Sequence, residues 1–534
     1  MIAPRRLSAV AVLVLLAFAP ARPAAAEARS ARAASRAALE ALSDEDVEAA
    51  RSALLPVEGS DDPSVALALG VLRFHEQRYA EAVTLLERAS AGGVAHDWLP
   101  LVRSARDLTQ GYRQAESENF VVRYPPGKEE VLVPYLLTTL EAQRAALAHD
   151  LGPVPPGKVA VEIVEGTRAL ARLSTLTEEE IKTSGTIAIC KFNKMMITSP
   201  KALLHGYEWQ DTAAHEYVHH VVTRLTGNAA PIWLHEGIAR WHESRWRGPG
   251  GEILTPWSAA LLRDAARKNQ LVTFAQMHPS MAKLPSQEKA ALAFAEVAVA
   301  VEYLRRKGGP EAVSRVLSAV ARGRTAEQAV ADALGVPFPT FMEDWRRYLV
   351  ERPLPEGGER EMRRLRFQGD PKHGGSYSEW SEIPDERARR LARLGEIFRE
   401  RGRWEPARQE FARAARKGGG GSVLLAGRLA QASMMTGHDD EADRALTEAL
   451  RLHPESATLH VQKGRLHLKR QQWAEARESL LQANRVDPFD PEIHLGLARA
   501  AQGLGDEPTA SRERRFADIL GGAPTAGHPR TKQE

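Results

Sequence analysis

Apolar residues recur at helical spacing along most of the chain, and the places where that spacing breaks divide it into segments. Residues 27–115 are rich in Ala, Leu, Arg and Glu with a 3.6-residue period, which predicts helices. Near Glu118 the texture changes. Residues 119–124 (Asn-Phe-Val-Val-Arg-Tyr) run into Pro125-Pro126-Gly127, a strand closed by a turn, and a helical run over 129–150 follows. Residues 158–164 and 186–198 predict further strands. Helical periodicity resumes near Asp211, stops at Gly227-Asn228 as at a left-handed cap, and restarts at Pro231. It continues through 257–267, 286–307, 311–321 and 338–349. Residues 351–384 are Pro-, Gly- and charge-rich without period and read as a linker; 385–520 is helical again, and 521–534 is a polar tail expected to be disordered. Strands followed by helices make 116–350 an α+β domain, so the expected architecture is multi-domain, with that α+β unit flanked by all-α segments.

Composition narrows the picture. With 534 residues, the chain is too long for one ordinary core. A net charge of +3 without a clustered basic block argues against a nucleic-acid partner. Arg5 and Arg6 precede an apolar run over 7–19, and Ala24-Ala25-Ala26 supplies small residues before Glu27. This predicts a signal peptide over 1–26 and export to the periplasm or the extracellular space, the alternative being that the segment is kept as an uncleaved N-terminal anchor. No later stretch reaches about 18 uninterrupted apolar residues, so no transmembrane segment is expected in the mature chain. Cys190 is the single cysteine, which rules out an intrachain disulfide and reads as a small hydrophobe in a strand.

A second period overlies the helical one. Ala407, Ala442, Ala476 and Ala510 recur at intervals of 35, 34 and 34 residues. Ala414, Ala449 and Ala483 follow seven positions after the first three, Pro454 and Pro488 mark repeat ends, and Gly395 and Gly464 occupy a small-residue position in the first helix. This pattern resembles the tetratricopeptide repeat, and Gly70, Ala82 and Ala89 fit one further repeat-like helix pair in the N-terminal segment. Such arrays bury each unit against its neighbours and offer a concave face to a peptide, so 385–520 is expected to form a separable superhelix that binds a protein partner.

Candidate chemistry lies in Thr212-Ala213-Ala214-His215-Glu216-Tyr217-Val218-His219. On a helix His215 and His219 are about 40° from eclipsed, so both imidazoles can meet one ion. Glu216 then flanks it, in the HExxH pattern that holds zinc and sets a glutamate to handle the protons of an activated water. A hydrolytic zinc site needs a third protein ligand and an open fourth position. Glu236, in Trp233-Leu234-His235-Glu236-Gly237-Ile238-Ala239, is the candidate. Glu243 lies two helical turns beyond Glu236, on the same face, where a carboxylate can take the outer N–H of a ligand imidazole. His220, His235 and His242 read as ordinary polar or substrate-lining residues.

The Trp233–Ala239 segment resembles the WLxEGxA stretch of gluzincin metallopeptidases, the group that includes aminopeptidase N and leukotriene A4 hydrolase, and is most similar to peptidase-MA-like proteins. The resemblance covers about 118–349. It implies a zincin-like fold, Zn2+ on His215, His219 and Glu236, and Glu216 as general base. It also exposes a departure. Aligning Tyr303-Leu304 and Gly308-Gly309 to the aminopeptidase branch places Phe294 where that branch has an oxyanion-binding tyrosine; Tyr207 is a possible substitute. No GxMEN-type amine-binding segment occurs, so an endopeptidase is expected, its extended substrate pairing with a sheet edge near 187–189. The competing reading is a repeat scaffold whose zinc-binding peptidase-like domain is weakly active or inactive.

Overall fold

The computed structural model describes residues 24–249, 253–353, 380, 383–419 and 421–521. The expected signal peptide up to residue 23, most of the expected linker and the tail beyond 521 lie outside the described residues. No helix among the described residues is long and apolar enough to cross a membrane.

Five helices come first: α1 (Ala24–Ser43), α2 (Val47–Leu54), α3 (Pro63–His75), α4 (Tyr79–Ala91) and α5 (Trp98–Thr109). A five-stranded sheet follows, built from β1 (Arg113–Glu116), β2 (Phe120–Tyr124), β3 (Val159–Val164), β4 (Ala188–Lys191) and β5 (Lys194–Thr198). Its order is β1-β2-β3-β5-β4, with β2, β3 and β5 parallel and the two outer strands antiparallel. The helices α6 (Val133–Leu151), α7 (Thr167–Leu173) and α8 (Glu178–Ser184) connect these strands.

Then come α9 (Trp209–Thr226), α10 (Ile232–His242), α11 (Pro256–Arg267), α12 (Gln287–Gly308), α13 (Ala312–Ala321), α14 (Ala326–Leu334) and α15 (Phe338–Glu351). The repeats are α16 (Glu386–Glu400) with α17 (Trp404–Ala414), α18 (Val423–Met435) with α19 (Asp439–Leu452), α20 (Ala457–Lys469) with α21 (Trp473–Asn484), and α22 (Pro491–Gly503) with α23 (Glu507–Leu520).

Two elements differ from the sequence reading for clear reasons. β1 has an almost fully exposed, polar sequence with no alternation, and it is a strand because β2 offers it a hydrogen-bonding edge. The expected strand over 186–198 is a hairpin, turned by Phe192 and Asn193 with φ of 59° and 54°.

Three helix pairs share one packing rule. A Cβ on Gly70, Gly395 or Gly464 would meet Leu86, Phe411 or Leu480 at 2.8, 2.7 and 2.6 Å, so the first helix of these three pairs needs a hydrogen there for the second to pack, whereas α18 and α22 carry Ala430 and Ala498 at the matching position. The N-terminal pair α3–α4 is thus built like the C-terminal ones.

The C-terminal array packs against the α+β unit through its last pair. The main core spans the sheet and α6, α9, α10, α12, α13 and α15, yet it also takes in Phe516 and Leu520 of α23. At the other end of the same contact, the carbonyls that α21 leaves unpaired at its C-terminus accept from the start of α9. Trp209 Nε1 donates to Asn484 O at 2.9 Å, and the Trp209 and Tyr207 N–H groups donate to the Arg485 and Val486 carbonyls at 3.1 Å. Gly206, with φ of 63°, has no room for a side chain against Val486.

Two predictions follow from this joint. Phe516→Ala should cost about 3–5 kcal/mol, and calorimetry should show the α+β unit and the last repeats losing stability together. Glu208, the N-cap of α9, has an unpartnered carboxylate oxygen, and burial, with Asp211 adding like charge, pushes its carboxyl up to about 7. Because the folded state holds this proton above the usual carboxylate range, stability falls as pH rises from about 4.5 to 7. Glu208→Gln should therefore leave thermal stability unchanged below that window and raise it at pH 8 by on the order of 1–2 kcal/mol.

Candidate metal centre

Helix α9 packs against β4 and β5 and carries His215 and His219 on consecutive turns, with Glu216 next to the first. It ends at Gly227 in the left-handed conformation, whose N–H returns to Thr223 O, and Asn228 with φ of 59° completes the reversal. Pro231 is the N-cap of α10, which packs back against α9 and α12. Gly237 makes that second contact possible: a Cβ there would lie 2.7 Å from the Val297 carbonyl. The far end of α10 is fastened to α6. Gln143 Nε2 donates to His242 O at 2.8 Å, and Arg245 reaches both carboxylate oxygens of Asp150 at 2.7 and 3.0 Å.

This frame brings three donor atoms together. His215 Nε2 and His219 Nε2 are 3.1 Å apart, and Glu236 Oε2 lies 3.3 and 3.4 Å from them. Tetrahedral ligands at about 2.0–2.1 Å from zinc would be separated by about 3.3–3.4 Å. Glu236 Oε2 is buried without a hydrogen-bond donor, and both imidazoles point Nε2 at it because their Nδ1 atoms are engaged elsewhere. His215, His219 and Glu236 side chains keep 12%, 16% and 19% exposure, so the cluster is reachable from solvent. The donor set and its spacing fit a divalent metal.

The outer partners of the two imidazoles differ. His215 Nδ1 lies 3.2 Å from Glu243 Oε2, and Glu243 is itself held by Arg240 at 2.7 Å. His219 Nδ1 lies 2.9 Å from His235 Nδ1, whose Nε2 faces Thr223 Oγ1 at 3.4 Å. His219 with Nε2 turned to a metal carries its proton on Nδ1, which makes it the donor and His235 the acceptor. Burial, reinforced by His219, pushes His235 down to about 3 and keeps it neutral for that role. His235 thus departs from its reading as an ordinary polar histidine. Its one sequence signal was adjacency to Glu236, which does not tell which way the ring turns.

The electrostatics favour positive charge at the donors. Burial lowers the His215 imidazole, but the Glu236 and Glu243 carboxylates more than offset this and push it up to about 10. Glu236 stays ionised well below the usual carboxylate range despite burial, because His219 and His215 face it. Glu216 also brings a carboxylate oxygen within 4.8 Å of the His215 and His219 donor nitrogens; burial pushes its carboxyl up, His219 and His215 oppose that, and the Cys190 backbone of β4 favours the charged form.

The two oxyanion candidates stand differently. The Phe294 ring on α12 faces His215 edge-on at 6.5 Å between centroids, so it borders the site and offers no donor. Tyr207 is buried and its hydroxyl donates to the Thr198 carbonyl, so its proton is committed elsewhere. β4, near the expected substrate-pairing stretch, is the terminal strand of the sheet.

Removal of either outer partner should weaken metal binding without removing a ligand. Glu243→Ala and His235→Ala are each expected to lower zinc affinity about 10–100-fold, measured by competition with a chelating dye.

Comparison with known families places this geometry. The model of the Peptidase MA superfamily matches residues 141–351, and a tetratricopeptide repeat model matches 440–500. No curated protein matches the chain. Among solved structures, native leukotriene A4 hydrolase from Saccharomyces cerevisiae is 13% identical, with 77% of this chain and 67% of that one covered at a TM-score of 0.31. A two-domain M1 zinc metallopeptidase is 18% identical over 46% and 53% at 0.28, and MamA is 18% identical over 26% and 81% at 0.24. Scores this low do not establish a shared overall architecture. One family model takes in β3, β4, β5 and the helices through α15, and the other lies within the repeats, so residues 141–351 match a Peptidase MA superfamily domain and residues 440–500 a tetratricopeptide repeat.

Proposed function

We propose that the chain is a zinc-dependent peptidase, an endopeptidase, working outside the cytoplasm, with its repeats binding a protein partner or substrate. The observation that carries this reading is the convergence of His215 Nε2, His219 Nε2 and Glu236 Oε2 within 3.1–3.4 Å, with a fourth group, the Glu216 carboxylate, within 4.8 Å of the two imidazole donors. A purely structural metal would need the ligands but not that fourth group. The setting rests on the Arg5-to-Ala26 pattern, and the endopeptidase assignment on the lack of a GxMEN-type amine-binding segment.

Zinc held by these three residues would supply Lewis acidity, acidifying a water and polarising a peptide carbonyl. Glu216 takes the water's proton during attack and returns it to the leaving amine; its burial, which raises its proton affinity, suits both steps. Glu243 and His235 hold the two imidazoles in the tautomer that presents Nε2. The edge of β4 lies on the Glu216 side and offers backbone groups to an extended peptide.

A specific observation favours the second reading, a repeat scaffold with a slow or inactive peptidase-like domain. Neither Phe294 nor Tyr207 has a hydrogen bond to give an oxyanion. Loss of one such donor typically costs about 3 kcal/mol, some hundredfold in rate, which makes turnover slow rather than absent.

Glu216→Gln should abolish peptide hydrolysis while zinc content by mass spectrometry stays at one per chain. Phe294→Tyr should raise kcat by as much as about a hundredfold. Equal cleavage by wild type and Glu216→Gln would hand the assignment to the scaffold reading.

A further inference from the structure

The metal-side face of the sheet is explained by the reading above, but the other face is not. There the N-terminal helices grip one feature, the β4–β5 turn. The Glu45 carboxylate, from the loop between α1 and α2, accepts the backbone N–H groups of Phe192 and Asn193 at 2.9 and 3.2 Å. The Phe192 ring is 6% exposed and enters a box of Phe74, His75 and Trp98, with centroid distances of 5.0, 5.6 and 5.9 Å. One residue on, Lys194 is fully buried, with its Nζ 2.6 Å from Tyr79 Oη of α4 and 2.8 Å from Glu162 of β3.

The backbone at this joint is unusual on both sides. Glu45, Phe192 and Asn193 all have left-handed φ, 61°, 59° and 54°, and none is glycine. A bulky residue such as phenylalanine adopts that conformation only where its surroundings over-determine it. The surroundings here are the carboxylate and the aromatic box, both supplied by the N-terminal helices.

The gripped turn carries a short terminal strand. β4 has four residues, is paired only through β5 among the described residues, and packs against α9, the helix that carries Glu216. A strand this short, joined along one edge, opens locally unless its end is tied down. Its side chains alternate accordingly: Ile189 packs with the N-terminal cluster and Cys190 with the metal-side core. Loosening the turn therefore loosens the strand that borders the metal centre.

We infer that the N-terminal helical unit is a positioning element for the reaction, with Glu45 and Phe192 holding the β4–β5 hairpin so that the edge of β4 stays aligned for an extended peptide beside Glu216. The inference rests on the peptidase reading. Glu45 touches neither metal ligands nor substrate; it acts through the hairpin, and its loss should appear in substrate binding more than in chemistry.

The test uses the full chain with zinc, β-casein as an extended substrate, and Glu45→Ala, Glu45→Gln and Phe192→Leu. For Glu45→Ala and Phe192→Leu, amide exchange over 188–193 should quicken and KM should rise, each by about tenfold, while kcat and zinc content stay within about twofold of wild type. Glu45→Gln, which keeps a carbonyl oxygen for one of the two N–H groups, should fall between. Unchanged exchange overturns the inference, as does faster exchange with unchanged KM, which would reduce the grip to a structural contact. A zinc-loaded wild type that cleaves nothing removes the peptidase reading and this inference with it, whereas a cleaving wild type with insensitive variants removes the inference alone.

Discussion

Two imidazole nitrogens and a carboxylate oxygen face one another across 3.1–3.4 Å with their lone pairs inward, and much of the central unit is arranged to keep them so. The Glu236 and Glu243 carboxylates favour positive charge on the His215 imidazole, and a metal cation at the centre would take the place of that proton. The fold meets the cost of holding it by fixing two helices at close range. Gly237 lets α10 press on α12, the Gly227-Asn228 reversal sets the angle between α9 and α10, and Asp150, Arg245 and Gln143 tie the end of α10 to α6. Each outer nitrogen is then occupied, one by an anionic carboxylate and the other by a neutral histidine.

The helical units flanking this centre attach to it through its backbone. At the C-terminal side, the exposed carbonyls at the end of α21 take N–H groups just before and at the start of α9. At the N-terminal side, a carboxylate takes the N–H groups of the β4–β5 turn. One end of α9 and one end of the strand beside it are thus finished by groups from elsewhere in the chain, which gives both helical units a part in the geometry of the site.

Much of this was legible in the sequence where spacing alone decides the outcome. His215 and His219 must share a helix face, Glu243 must lie two turns from Glu236, and a 34-residue period must stack. What escaped depended on how elements cross. His235 sits beside Glu236, but its meeting with His219 is set by the angle between α9 and α10. Tyr207 read as a possible substitute for the oxyanion donor, and the Thr198 carbonyl that takes its proton belongs to a strand that sequence could not place beside it. The repeats read as an independent array because their period describes contacts between neighbouring units and is silent about Phe516 and Leu520, which turn from the last unit into the core of the α+β domain.

The central claim is that these three donors hold zinc. Crystals of the purified protein, measured on both sides of the zinc absorption edge, test it directly. The account predicts one anomalous peak per chain, about 2.0–2.2 Å from His215 Nε2, His219 Nε2 and a Glu236 oxygen. A zinc peak held by other residues, or protein soaked in zinc that shows no peak between these three side chains, would contradict it.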